Sequence, residues 1–373
     1  MIGRQTSHLA WVAGYTRRDD GVVPDTYTAN YSVKDLMRKG YISLEEGQAF
    51  LDECHLQDFA WKIHWPEDFE TPDEYLLDRV SNVQGYVVFV HGWTGNNTIW
   101  EELPGMIVQS NRRLVAISID HNGFGFSKFT DDTPDLNLCN PPAAMNALQK
   151  WIDLIKLRRQ PGDTQAKIIN FVGHSMGGAT LFYLNPMYWQ YGEVTCYALA
   201  PALLLEDELH RAFFTALGLG INVVQRIRAF EFVERFVKPT VVRTLCAGAS
   251  DYVKETHTFQ YGVTPRGVTG STFIAMGQLD NTEIARNWDL FRVMLGHRDR
   301  LVGLTGMMDL LVQLEFPAGH IRVVPGTHYM FSIGTESSLN SYQHAQNREL
   351  VVQDILALHE LALKRQREGR LIG

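Results

Sequence analysis

The stretch Lys167–Leu184, KIINFVGHSMGGATLFYL, decides how the rest of the chain reads. It opens with the apolar run Ile168-Ile169-Asn170-Phe171-Val172, which suits a buried β-strand. The run stops at Gly173-His174-Ser175-Met176-Gly177-Gly178, and an Ala- and Leu-containing helical pattern follows. A serine held in so sharp a turn crowds the residues two positions to either side. Gly173 and Gly177 meet that demand because they carry no Cβ. A helix starting directly after Ser175 also aims backbone N–H groups, and the positive end of its dipole, at any negative charge developing beside the hydroxyl.

Outward from this stretch the same rhythm repeats. Tyr86-Val87-Val88-Phe89-Val90 is a continuous apolar run, the signature of a strand covered on both faces, and it ends in His91-Gly92-Trp93-Thr94-Gly95. Arg113 to Asp120 is another, ending in Asp120-His121-Asn122-Gly123-Phe124-Gly125-Phe126-Ser127. Pro141-Pro142 opens a helical pattern through Leu148, Trp151, Ile152 and Ile155, proline being suited to a first turn. Val194 to Ala200, Phe291 to Leu295 and His320 to Val324 read as further strands, and an amphipathic helix with Leu350, Val351, Ile355, Leu358 and Leu361 on one side closes the chain. Strands separated by helical patterns imply βα repeats and a parallel sheet.

Strand, Gly-x-Ser-x-Gly turn and helix, in that order, form a nucleophile elbow. The stretch resembles the active-site turn of the α/β-hydrolase superfamily, in its serine-nucleophile, esterase- and lipase-like branch. The resemblance implies an α/β fold with a mostly parallel central sheet flanked by helices and an inserted helical cap. On that reading residues 58–200 and 290–373 form the core, 201–289 the cap, and 1–57 an N-terminal extension. The extension reads as an arm on the main domain, a cover for the site or a dimer contact. Within it, Ser43-Leu44-Glu45-Glu46 fits a capping box. Phe59 to Trp65 reads as a strand, with Leu76 to Val80 as its antiparallel partner. In the cap segment Leu209 to Arg243 reads as helices, and Tyr261 to Gly270 as a glycine-rich loop.

A serine hydroxyl needs a base to take its proton, and the base needs a carboxylate to orient it. In the family these partners follow in the order acid, then histidine, on loops after later strands. Gly296-His297-Arg298-Asp299-Arg300-Leu301-Val302 resembles the acid loop and nominates Asp299. Pro325-Gly326-Thr327-His328 resembles the base loop and nominates His328. Glu206 and Asp207 are rival acids, and His344 is a rival base lying far past its strand. The resemblance assigns the oxyanion hole to the backbone N–H groups of Trp93 and Met176. His91 reads as a structural hydrogen-bonder, and Asp120 to Ser127 as structural support, with Phe124 and Phe126 as candidates for the entrance.

The net charge of −8 and the lack of a long basic run argue against nucleic acid as a partner. No signal-peptide pattern or membrane-spanning stretch is visible, so the sequence points to a cytoplasmic protein without stable membrane insertion. The four cysteines lie far apart, with no C-x-x-C pair, and read as buried small hydrophobes. No cofactor or metal is expected, since no ligand cluster or nucleotide-type glycine loop occurs. The expected substrate is a small molecule, an apolar carboxylic ester. Phe213, Phe214, Leu217, Phe230, Phe232 and Phe236 supply the apolar residues to line or fill a cap. Lactonase, amidase, C–C bond hydrolase and acyltransferase chemistry use the same triad, and a non-catalytic hydrolase-fold ligand binder is the reading from another class. Monomer and homodimer are both compatible with the sequence.

Overall fold

The computed structural model describes residues 15–17, 26–66, 83–157, 167–185, 189, 192–203, 208–224, 242, 246, 248–279, 284, 286, 288–332 and 339–371. Its centre is one nine-stranded sheet in the order β1-β2-β3-β5-β4-β6-β7-β8-β9. The strands are β1 Tyr15–Arg17, β2 Thr26–Ser32, β3 Ala60–Pro66, β4 Gly85–Val90, β5 Leu114–Ile119, β6 Ile168–His174, β7 Val194–Leu199, β8 Phe291–Gly296 and β9 Ile321–Val324. From β5 to β9 every neighbouring pair is parallel, while β1, β2 and β3 add an antiparallel edge.

The unbroken apolar runs in the sequence have a direct cause. β4 is buried along its whole length, and its alternate residues serve opposite layers. Tyr86, Val88 and Val90 join a core with Trp61, Trp151 and Phe171. Val87 and Phe89 join another with Trp100, Tyr197 and Leu358. Both faces are therefore covered by helices, which is what a parallel sheet requires.

The capping box expected at Ser43 forms: its hydroxyl accepts from Glu46 N, and the Glu46 carboxylate accepts from Ser43 N, opening the helix Leu44–Glu53. The helix Pro141–Leu154 begins with proline at its first turn, and the Asn140 side chain accepts from Ala143 N. The chain ends in the helix Leu339–Leu371.

Two of the secondary-structure readings change in the structure. β3 pairs antiparallel along its length with β2 and over Trp61–His64 with β5, so its antiparallel partners are residues 26–32, upstream of it, and β5. The segment Leu76 to Val80 lies outside the described residues. Part of the first 57 residues is thus woven into the sheet. Tyr261 to Gly270 is not a loop: the helices Asp251–Val263 and Arg266–Gly277 run through it, broken only around Pro265. Two of its three glycines serve close packing: a Cβ on Gly267 would stand 2.2 Å from Asp132 O and one on Gly270 2.9 Å from Gly218 O, while Gly262 meets nothing within 4 Å. A Cβ on Gly218, in the helix Glu208–Val224, would stand 2.6 Å from Gly270 O, so the two helix backbones nearly touch. Phe230, Phe232, Phe236, Glu206 and Asp207 lie outside the described residues, as does the side chain of Phe213.

Candidate active site

Parallel strands leave their carboxyl ends on one edge of the sheet, and loops leaving that edge form the crevice where ligands bind in open α/β sheets. Ser175 follows β6, Asp299 follows β8 and His328 follows β9, so three connections of the sheet deliver them to one place.

Ser175 has φ 55 and ψ −120, a backbone conformation that L-residues rarely adopt. Such strain costs about 1–3 kcal/mol and survives only where surrounding contacts fix it. They do so here: Ser175 N donates to Leu199 O at 3.0 Å, and Ser175 O accepts from Ala179 N and Ala202 N, each at 2.9 Å. The glycines answer to close approach. A Cβ on Gly173 would lie 2.3 Å from Gly177 O, and one on Gly177 would lie 2.1 Å from Val90 O. Met176 is the first residue of the helix Met176–Leu181, so its N–H has no acceptor within that helix.

Asp299 and His328 are joined. His328 Nδ1 donates to Asp299 Oδ2 at 2.8 Å, with both residues buried. The other carboxylate oxygen accepts from Leu301 N at 2.9 Å and Val302 N at 3.1 Å. Burial alone would raise the Asp299 pKa; the charge and hydrogen bond of His328, with the Val302 and Leu301 amides, outweigh it and hold the carboxyl below its ordinary value. A carboxylate at Nδ1 fixes the proton there and leaves Nε2 as the acceptor. That Nε2 is buried and makes no hydrogen bond. His328 and Ser175 line the same cavity of about 50 Å³. Their side chains are not hydrogen-bonded to each other.

The acid and base loops are also stitched by backbone bonds, His297 N to Val324 O and Arg298 N to Gly326 O, each 2.9 Å. Behind the base loop, the long C-terminal helix clamps it. Asn347 Nδ2 donates to Pro325 O and Met330 O, Arg348 Nε to Phe331 O, and His344 Nδ1 to Ser332 O. Arg348 also pairs with Glu101 and Glu102. His344 is thereby placed as a structural partner of the base loop, away from the cavity lining.

Trp93 lines the cavity beside Met176. Gly92 presses on the serine: a Cβ there would lie 2.7 Å from Ser175 Cβ. His91 Nε2 accepts from His121 N at 2.8 Å, which puts its proton on Nδ1, 2.6 Å from Gly92 O. Burial, reinforced by His121, keeps its pKa well below the ordinary value. The Asp120 carboxylate accepts from Asn97 N at 2.7 Å and Phe126 N at 2.8 Å, and burial pushes its pKa up to about 7. Phe124 is not at an entrance. It is buried against the rings of His91 and His121, and neither it nor Phe126 lines the cavity.

The sequence reading gives no site role to His174, His257 or Tyr329, whereas Phe214 is among its apolar candidates and does line the cavity. His174 Nε2 donates to His328 O at 3.0 Å, linking the elbow to the base loop. Thr94, His257 and Tyr329 line the cavity; Thr94 and Tyr329 adjoin motif residues, Trp93 and His328, whereas nothing in the sequence around His257 marks its place. Phe214, Phe273, Met276, Leu301 and Val302 give the cavity apolar walls, and among its described lining residues none is Asp, Glu, Lys or Arg. The cysteines Cys54, Cys139, Cys196 and Cys246 are all buried and unpaired. Among the described residues no group of three or more His, Cys, Asp or Glu is placed to hold a metal ion, and no helix is long and apolar enough to cross a membrane.

The geometry agrees with comparison to known proteins. Among solved structures the chain is similar to an esterase from Exiguobacterium antarcticum, with a TM-score of 0.52 and 15% identity over 74% of this chain and 92% of that one. A thermophilic esterase from Thermogutta terrifontis matches with a TM-score of 0.51 and 14% identity, over 81% of this chain and 95% of its own. A bromoperoxidase from Bacillus anthracis matches with a TM-score of 0.51 and 14% identity, over 82% and 96%. At these identities the likeness is one of fold. No curated protein matches the sequence. The model of the alpha/beta hydrolase family matches residues 87–332, from β4 through the base loop, and with elbow, sheet order and loop positions agreeing, the chain belongs to that family.

Proposed function

We propose that the chain is a serine hydrolase that cleaves an uncharged carboxylic ester with a short apolar acyl part, through an acyl-enzyme. The observation that carries the reading is the buried hydrogen bond from His328 Nδ1 to Asp299, which leaves Nε2 without a partner at a cavity that Ser175 also lines. His328 Nε2 takes the proton of Ser175 Oγ as the oxygen attacks the acyl carbon. The backbone N–H groups of Trp93 and Met176 receive the oxyanion. His328, protonated and steadied by Asp299, then gives its proton to the leaving alcohol, and water repeats the sequence to release the acid. The lining favours an uncharged substrate, since a charged group placed there would be desolvated with no opposite charge among the described lining residues to meet it. A cavity of about 50 Å³ suits a short acyl chain better than a long one.

The test is covalent labelling with a fluorophosphonate followed by peptide mapping, together with turnover of p-nitrophenyl esters graded from acetyl to decanoyl. The label should map to Ser175, Ser175→Ala should abolish labelling and turnover, and kcat/KM should be highest for the short acyl chains. Undiminished turnover in Ser175→Ala would refute the site. Absence of labelling and turnover in the wild type would refute the function.

A further inference from the structure

His257, on the helix Asp251–Val263, is buried at the boundary between the inserted helices and the candidate active site. One ring nitrogen, Nδ1, lies 3.0 Å from Thr94 Oγ1 on the loop that carries Trp93. The other, Nε2, lies 2.7 Å from the hydroxyl of Tyr329, the residue after His328. Cys246 Sγ donates to that same hydroxyl at 3.8 Å. A single direction satisfies the whole chain: the thiol donates to the phenol oxygen, the phenol O–H donates to Nε2, and Nδ1–H donates to Thr94 Oγ1. The imidazole is neutral, since burial, with His328 nearby, lowers its pKa to about 3. A neutral imidazole has one donor and one acceptor, and both are used.

The two loops it joins are remote in sequence; the base loop is already held by the C-terminal helix, and the Thr94 loop has reason to need holding. Thr94 has φ 51, a left-handed conformation uncommon for a residue with a branched Cβ, so its loop does not rest there on local preference alone. The inserted helices meet the same loop through packing as well. The Trp93 ring lies 4.2 Å from that of Phe273 and 5.6 Å from that of Tyr261. His257 adds to this packing a direct hydrogen bond to each of the two loops from a single side chain.

We propose that His257 is a positioning residue, a hydrogen-bonded strut from the inserted helices that sets the oxyanion-side loop at Thr94 against the base loop at Tyr329. It rests on the function proposed above, with which it shares the site. The consequence is that docking of the helix Asp251–Val263 and assembly of the oxyanion hole are one event. Substrate binding depends little on the strut, because the apolar walls remain without it.

The experiment measures kcat and KM on p-nitrophenyl butyrate, normalised to sites titrated with fluorophosphonate, for wild type, His257→Leu, His257→Gln and Tyr329→Phe, with thermal unfolding of each. Loosening the loop around an oxyanion donor should cost less than deleting a donor outright, so His257→Leu is expected to lower kcat per titrated site by roughly 10- to 30-fold with KM within about threefold. His257→Gln, whose amide also donates and accepts, should recover to within about threefold of wild type, and Tyr329→Phe should lose about 3- to 10-fold. A purely structural role would lower the melting temperature and the titratable fraction while leaving kcat per site unchanged, and that result would overturn the proposal. So would a rise in KM at constant kcat, which would make His257 a binding residue. Should His257→Leu fail to fold, Tyr329→Phe decides: kcat per site at the wild-type value overturns the strut, and the expected loss supports it. A wild type that neither labels nor turns over ester overturns the function and the strut together; an active wild type with an unchanged variant overturns the strut alone.

Discussion

Gly92→Ala tests the geometry of the site at one methyl group. The added Cβ would stand 2.7 Å from Ser175 Cβ, 3.2 Å from His174 O and 3.3 Å from Ser175 Oγ. Ordinary contact begins at 3.4 Å, so a shift of about 0.7 Å must be found somewhere. Ser175 does not retreat easily, because its N–H and C=O are tied to Leu199, Ala179 and Ala202. The loop is anchored on its own side by His91, which bonds His121 N and Gly92 O. Whichever side yields, the distance between Ser175 and the proposed oxyanion donors changes by most of that shift. A displacement of 1 Å can cost about 100-fold in rate, so kcat per titrated site should fall by roughly 10- to 100-fold, with a stability loss of about 1–3 kcal/mol for overpacking. The assay is ester turnover normalised to fluorophosphonate-titrated sites, with urea unfolding alongside. Gly306→Ala is the control: nothing lies within 4 Å of that Cβ, in the helix Leu304–Gln313. It should leave kcat unchanged and stabilise the helix by about 0.5–1 kcal/mol. If Gly92→Ala keeps wild-type kcat and stability, the close contact between this loop and the serine is wrong.

Acid should destabilise the protein well before its carboxylates are all protonated. His91 and His174 are held well below the ordinary pKa of 6.5 by burial, His121 and His359 are lowered to about 4, and His257 to about 3. Each depressed histidine binds its proton more readily in the unfolded chain, so its contribution is complete above pH 6.5 and is lost as pH falls towards the folded value. The slope is at most about 1.4 kcal/mol per pH unit for each group. Asp120, raised to about 7 from 3.8, opposes this in the window between those values, because its folded form binds the proton more readily. Urea midpoints that stay flat or rise from about pH 7 to about pH 5 would contradict the histidine balance. Asp120→Asn replaces two acceptor oxygens by one and sets an amide N–H against the Phe126 or Asn97 N–H; about 1–3 kcal/mol should be lost, and an unchanged urea midpoint would count against it. Arg348→Met strips Glu101 and Glu102 of their shared cation and Phe331 O of a donor, and should lower stability by about 3–5 kcal/mol, read by thermal unfolding; a loss under about 1 kcal/mol would show the pairs to be weak.

Much of the site was legible because it is local. The apolar run before Gly173 and the glycine spacing around Ser175 obey constraints acting within a few residues. The same holds for the Ser43 capping box and the proline at the start of Pro141–Leu154. The loops containing Asp299 and His328 were nominated by their resemblance to the family's acid and base loops. Where a residue type serves two purposes, the reading failed. The glycines between Tyr261 and Gly270 permit either a loop or close helix contact, and Phe124 suits an entrance or a core equally well.

The sequence by itself determined the order of the parallel strands and the sharp turn at Ser175, and its resemblance to the family nominated the loops of Asp299 and His328. Tertiary structure alone decided that residues 26–32 pair with β3, that Arg348 and Asn347 hold the base loop, and that His257 spans Thr94 and Tyr329. The physical reason is range. Backbone sterics and apolar periodicity act over a few residues and leave a mark in any short window of sequence. A hydrogen bond between side chains 163 positions apart depends on how whole layers pack, and neither residue carries a sign of it.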